Sequence, residues 1–470
     1  MNAGPSNLSP PPLRKGIELK LLRLILVCSL LPAAAVAQET PAPTPSPSPA
    51  PRRFRVGGEL KAHFRHSAFE EVKDLFPFPG FFLPPGQTEV FERTASKGSS
   101  LEVSTVNLIG EGDFTPDISA RLEVHFLDVY NRNPTTSDDR IAVREAWLRF
   151  GRKYESLELA PKTTFYAEIG KAPRFSKQRL RRLESYGLWS TAVGRFEELQ
   201  LELGGSAGKN VYWRAAVANG NPLFFRDPNA LAGDNGTPER TPQPTPRPIT
   251  GTRPIIESGF PILYDSKAND FSLNGKFQLG AGLGYRAKDE KDTQALDVLG
   301  WYFHRDLADA VAIRGSFYLG DLMLLRGVLF PLPFSGHNKS EYGINVEARR
   351  GEGRLFAQFV HQDIAKLVRR GFEIEVAWQF ALNGLFASGD TSVINWIQPV
   401  VRFSNIGNKF EAPADYPAPS VAFDWRKYDL GVRVGIVRGL DFTAEYSRHD
   451  MIVPPKLHPD ELLLTFRAAF

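Results

Sequence analysis

The sequence predicts an all-β protein, a transmembrane antiparallel up-and-down β-barrel of about 18 strands, with about 16 as the next count in line. Three observations predict it. Apolar and polar residues alternate with a period of two through most of the chain from Arg53 onward. Several alternating segments run past about ten residues, longer than the usual strand of a soluble sheet. The chain also stops on "ELLLTFRAAF", in which Leu462, Leu464, Phe466, Ala468 and Phe470 share one face. Chain ends usually fray, so an amphipathic strand there makes most sense as the seam that closes a sheet.

The first element is "LLRLILVCSLLPAAAVAQ", an apolar run behind Arg14, Lys15, Lys20 and Arg23 that ends in the small-residue triplet Ala35-Val36-Ala37. This pattern predicts a secretory signal peptide over residues 1–37, cleaved before Gln38; an uncleaved membrane anchor is the competing reading. Cys28 is the single cysteine and falls inside that segment, so the mature chain has no disulfide and no thiolate metal site. Residues 38–52, with "PAPTPSPSPAP", predict an extended Pro-rich periplasmic spacer; a leader with no role fits as well. The barrel then takes residues 53–470. Cleavage would leave 53 of the 57 Lys and Arg against 52 of the 53 Asp and Glu, a balance that predicts no general affinity for nucleic acid. No run of about 20 apolar residues follows, which argues against helical membrane spans in the body of the chain.

The strands follow in order. Phe54, Val56, Leu60 and Phe64 alternate with Arg55, Glu59, Lys61, His63 and Arg65, and Ile118 to Phe126 repeats the pattern around Arg121, Glu123 and His125. The longest case is 271–286; Tyr342 to Arg349, Phe372 to Phe380, Leu430 to Ile436 and Leu440 to His449 complete the clearest set. One face suits lipid and the other, charged in nearly every strand, suits a wet interior. Lipid offers no partners to backbone amides, so the sheet must close, and Leu462, Leu464, Phe466 and Phe470 mark the closing strand. Short polar connections at 113–117, 151–156, 204–209, 288–293, 320–322, 350–354, 382–393 and 438–439 alternate with mostly longer ones, including 67–98, 131–139, 172–192, 219–268, 332–339, 407–425 and 450–459. That places both termini at the short-turn, periplasmic end of an outer-membrane barrel in a Gram-negative host. Reading 294–331 as three strands gives the higher count; one strand there gives the lower. Trp147, Tyr154, Trp189, Trp213, Trp301, Trp378, Trp396 and Trp425 lie mostly near predicted strand ends, where an interfacial belt is expected, although core packing would place them equally well.

The densest charge feature is "GKAPRFSKQRLRRLESYGLWS". Lys171, Arg174, Lys177, Arg179, Arg181 and Arg182 precede its first carboxylate, Glu184, within a long connection. Folded into a barrel, such a loop would form a constriction that favours anions, because a low-dielectric pore focuses the field of its charges. A surface loop touching lipopolysaccharide phosphates, or nothing specific, competes with this. Inward Arg121, Arg314 and Arg433 could extend a basic track, but Glu123, Glu373, Glu375 and Glu445 share the inward faces and predict a salt-bridged wall instead. "GAGLGY" (280–285) sits within a strand, so its glycines leave room for a loop or plug rather than cradle a phosphate. The Pro- and Thr-rich stretch 219–268 reads as an external loop. The histidines lack ligand spacing and no nucleophile elbow appears, so no metal, cofactor or catalytic residue is assigned.

"REAWLRFG" (144–151) followed by "FYAEIGKAPRFS" (165–176) resembles the phosphate-selective porins of the outer membrane, with Gly170, Lys171, Pro173 and Phe175 on the family pattern. The resemblance covers residues 144–203. It implies passive transport of a small solute and trimers of 16-stranded barrels; an 18-stranded, arginine-lined barrel is similar to the alginate-export type, which passes acidic sugar chains. The terminal aromatic Phe470 resembles the signal read by barrel-assembly machinery. Outer-membrane lipids and lipopolysaccharide complete the expected partners. A barrel-embedded hydrolase, or a structural or adhesive barrel without an open pore, is the alternative function.

Overall fold

The computed structural model describes residues 53–68, 72–74, 90–94, 98–128, 141–178, 182–190, 197–219, 255–258, 277–306, 338–364, 367–382, 386–388, 391–409, 424–451 and 458–470. The predicted signal peptide and spacer lie outside them.

Sixteen antiparallel strands close on themselves. They are β1 (Arg53–Ser67), β2 (Gly98–Thr115), β3 (Ile118–Asp128), β4 (Ala142–Phe150), β5 (Thr164–Pro173), β6 (Glu197–Ala207), β7 (Val211–Ala218) and β8 (Gln278–Lys288). The second half is β9 (Gln294–Asp306), β10 (Asn338–Arg350), β11 (Gly353–Ile364), β12 (Leu367–Trp378), β13 (Trp396–Asn408), β14 (Trp425–Val437), β15 (Leu440–Met451) and β16 (Asp460–Ala469). The short strand Phe380–Ala381 continues β12 along β13. Each strand pairs with its sequence neighbours, and β1 pairs with both β2 and β16. At that seam Glu59 faces Ala469 and Ser67 faces Glu461, and Phe470 and Gly58 exchange two backbone hydrogen bonds of 3.1 Å. The C-terminal strand therefore is the closing strand.

The alternation read from the sequence becomes an inside and an outside. On β16, Leu462 and Phe466 are exposed on the outer wall, while Glu461, Leu463 and Thr465 are buried in the interior. On β14, Tyr428 and Leu430 face out, and Lys427 and Asp429 face in. A closed sheet that is apolar outside and charged inside is the arrangement a bilayer demands, because every backbone group is paired and the greasy face meets hydrocarbon.

Three expectations need correction. The count is 16 rather than 18, because β9 pairs directly with β10 from Gln294↔Arg350 to Asp306↔Asn338 and leaves no place for wall strands between them. The strands expected within 307–331, the turn at 320–322 and Arg314 lie outside the described residues, as do residues 271–276 of the long alternating segment. The connection at 151–156 is in fact 151–163, and it folds inward. Finally, the tryptophans do not form one belt. Trp189, Trp301 and Trp425 are buried. Trp147 and Trp396 stack under the inward cations Arg149 and Arg433. Trp378 is on the outer wall, and Trp213 packs there beside Phe165. Indole N–H groups explain the burial: Trp301 donates to Asn345 at 2.9 Å and Trp425 to His449 at 2.9 Å, a satisfied polar handle inside a wet lumen.

Candidate functional site

The loop that leaves β5 turns into the barrel. Gly170, at φ 135°, lies where the backbone carbonyl of Ala146 leaves no room for a Cβ, which accounts for the glycine of the Gly-Lys motif. Beyond Pro173, Arg174 is 2% exposed, pairs with Glu341 at 2.8 Å and lies 3.8 Å from the centre of the Phe303 ring. Phe175 stacks on Phe303 at 4.7 Å and passes over Gly282, whose missing side chain makes the space; a Cβ there would lie 3.0 Å from the Phe175 ring. Of the lumen-facing glycines of "GAGLGY", Gly282 thus leaves room for the loop, while Gly280 and Gly284 make space for the wall side chains Phe303 and Tyr212.

The loop crosses to the far wall, where inward side chains of five strands hold it. Lys61 on β1 pairs with Glu184 at 2.8 Å. Glu445 on β15 accepts from the amides of Glu184 and Ser185 at 3.0 Å each, and from the Ser185 hydroxyl. Arg402 on β13 donates to Ser185 O and Oγ at 3.0 and 2.7 Å, and Lys427 on β14 donates to Ser185 Oγ and Tyr186 O at 2.9 Å each. Glu373 on β12 accepts from the amides of Trp189 and Ser190. The approach is so close that a Cβ on Gly187 would collide with the Glu373 carboxylate. Arg402 is itself held by Asp429 at 2.8 Å, so buried charge meets buried charge throughout. Breaking such a pair by removing one partner typically costs about 3–5 kcal/mol, which makes this side of the lumen a rigid fixture. Ser185, 1% exposed, is an anchor within it rather than an accessible nucleophile.

The opposite wall is held differently. Connection 151–163 enters from the short-turn end, with Leu157 at φ 66°, a left-handed conformation that costs about 1–2 kcal/mol in a non-glycine residue. Lys153 bridges Glu168 and Glu202 at 3.1 and 2.9 Å. Arg214 on β7 donates to Tyr154 O at 3.2 Å, and Arg286 on β8 donates to Glu158 O at 3.3 Å. Arg286 also pairs with Asp297 at 2.7 Å and covers the Tyr212 ring at 3.9 Å. A cavity remains between the two inward segments. Its lining includes Glu155, Ser156, Phe175, Lys177, Tyr212, Arg214, Arg286, Asp297 and Glu347.

The basic run read from the sequence is therefore dispersed. Lys171 donates to the Val143 carbonyl at 2.5 Å and has the parity of the exposed Ile169. Lys177 pairs with Glu197 at 2.7 Å and reaches the cavity, and Arg182 pairs with Glu375 at 3.2 Å on the far wall. Arg179 and Arg181 lie outside the described residues. Arg121 meets Glu111, Glu123 and Glu145, and Arg433 meets Asp441 at 3.4 Å, which fits the salt-bridged wall rather than a basic track. Sequence reasoning missed Arg214, Arg286 and Tyr212. The signal for them was the inward parity of "VYWRAAV" and "GYRAK", which single-strand reading did not connect to a shared cavity.

No protein-family model matches the chain, and no curated protein matches it. Solved structures do. The chain is similar to OprB of Pseudomonas putida at 9% identity and a TM-score of 0.51, covering 89% of this chain and 94% of that one. It is also similar to the outer-membrane channel DcaP of Acinetobacter baumannii (10% identity, TM-score 0.48, 89% and 97% covered) and to an anion-selective porin from Comamonas acidovorans (8% identity, TM-score 0.44, 89% and 100% covered). At 9% identity the likeness to OprB speaks for the fold alone, a closed antiparallel β-barrel.

Proposed function

We propose that this protein is a passive outer-membrane channel, a porin for small hydrophilic solutes that favours anions such as phosphate or acidic sugars. The observation that carries the proposal is the division of the lumen: one wall is filled by an anchored loop, while the other keeps a cavity where Lys177, Arg214 and Arg286 converge around Tyr212. Asp297 and the carbonyls of Tyr154 and Glu158 orient the guanidinium groups. A solute anion would meet these cations beside the carboxylates of Glu155, Asp297 and Glu347, which limit how tightly it is held and so allow both entry and departure. The first and last described residues of the barrel, Arg53 and Phe470, lie at the end of the short turns, which we assign to the periplasm. A homotrimer, assembly through recognition of the Phe470 end, and secretion by residues 1–37 complete the reading.

Liposome swelling tests it. Vesicles containing the refolded barrel should admit small anionic and neutral sugars at rates that fall with solute size. A folded barrel that admits none would favour a closed structural protein.

A further inference from the structure

We propose that the outer wall of β11–β15, at the end of the long connections, is a binding site for the phosphate groups of outer-leaflet lipid; the inference rests on the membrane-spanning reading above. The lumen holds most of the charge of these strands, yet a second set of cations points the other way. Arg370 lies between the inward Arg369 and the exposed Phe372, with outward parity. Arg426 alternates with buried Trp425 and Lys427, and Lys409 follows the end of β13 on the outer side. Strand register brings them to one level: His361 faces Arg370, Arg370 faces Gly407, and Arg426 lies between Asn405 on one side and Asp450 on the other.

The inward and outward cations differ in one respect. Arg402 and Lys427 are matched by carboxylates inside. Arg370, Lys409 and Arg426 make no ion pair with any described residue. Of the acids on the same rim, Asp450 is engaged by Arg448 and His458, and Asp460 by Arg448. Asp363 and Asp424 also lie there and have contacts of their own. Just below the cations on the same wall sit the exposed aromatics Phe372 and Tyr428, the level at which rings meet headgroups. Cations without an ion pair among the described residues, directly above an aromatic level, stand at headgroup height, where a guanidinium can bind phosphate through paired hydrogen bonds. The occupant that matches three cations on three adjacent strands is a lipid whose headgroup carries more than one phosphate.

Lipid A with two phosphates is the probe. Native mass spectrometry of the detergent-solubilised barrel should show lipid A bound to the wild type, and about tenfold weaker binding to the triple variant Arg370→Gln, Lys409→Gln, Arg426→Gln. The lysine variant Arg370→Lys, Arg426→Lys should bind more weakly than the wild type and more tightly than the triple variant, because the charge stays while the paired hydrogen bonds are lost. Heat-modifiable migration on gels checks that each variant is folded. Equal lipid A binding by the folded triple variant would overturn the proposal, as would displacement of lipid A by inorganic phosphate at matched phosphate concentration, which would mark a plain anion site. The assay needs no flux: a conducting barrel without lipid preference sinks this inference alone, and a lipid-binding barrel that passes no solute sinks the channel reading alone.

Discussion

Ser190 Oγ donates to the Glu373 carboxylate at 2.6 Å, tying the far end of the inward loop to a wall strand that comes 183 residues later. The same carboxylate takes the amides of Trp189 and Ser190 at 3.1 and 3.2 Å. Glu373→Ala strands these donors, at about 1–3 kcal/mol for each buried group left unpaired. The loop should then leave the wall part of the time. Single-channel records should show larger and noisier steps than the wild type; unchanged steps would mean that Arg402 and Lys61 suffice to hold it.

Gly187→Ala should reproduce that behaviour by the opposite route. The added methyl collides with the Glu373 carboxylate and pushes it off the amides. Because both changes break one contact, the double variant should resemble either single one, and additive conductance changes would argue against a shared anchor.

The outer wall makes a depth-dependent prediction. Leu430→Arg, in the middle of β14, places a cation where hydrocarbon is expected and should destabilise the barrel by about 2–4 kcal/mol in urea unfolding from vesicles. Phe466→Arg, nearer the short-turn rim, should cost about 0–1 kcal/mol. Equal costs at the two sites would contradict the assigned membrane level.

At the seam, Phe470 and Gly58 exchange backbone hydrogen bonds that no side-chain substitution removes. Phe470→Ala should therefore refold in detergent with nearly wild-type stability, yet reach the outer membrane in lower yield if the terminal aromatic is read during assembly. Deleting residues 461–470 removes the partner of both β1 and β15 and should abolish heat-modifiable migration.

How far the sequence carries can be seen in particular elements. Alternation exposes inside and outside because a lipid-facing strand leaves its pattern within a few residues, as at Leu430 and Leu462. The closing role of β16 was legible for the same reason. The basic character of the loop after β5 was legible too, and its inward course fits Gly282, one of the glycines of 280–284. Its partners were not. Glu184 meets Lys61, and Ser185 meets Glu445, across 123 and 260 residues. Such pairings follow from closure and register rather than from local composition. Two further misreadings have local causes. The three-strand reading of 294–331 sets separate wall strands where β9 pairs directly with β10, and the chain 151–163 begins with turn-forming residues although it continues inward over Arg214 and Arg286.

The most direct test of the account is the reversal potential of the reconstituted channel in a potassium chloride gradient, for the wild type and for Arg214→Gln, Arg286→Gln. The account predicts anion preference in the wild type and its loss, with conductance retained, in the variant. Cation preference in the wild type, or anion preference unaffected by removing both arginines, would contradict the assignment of the solute path to the cavity beside Tyr212.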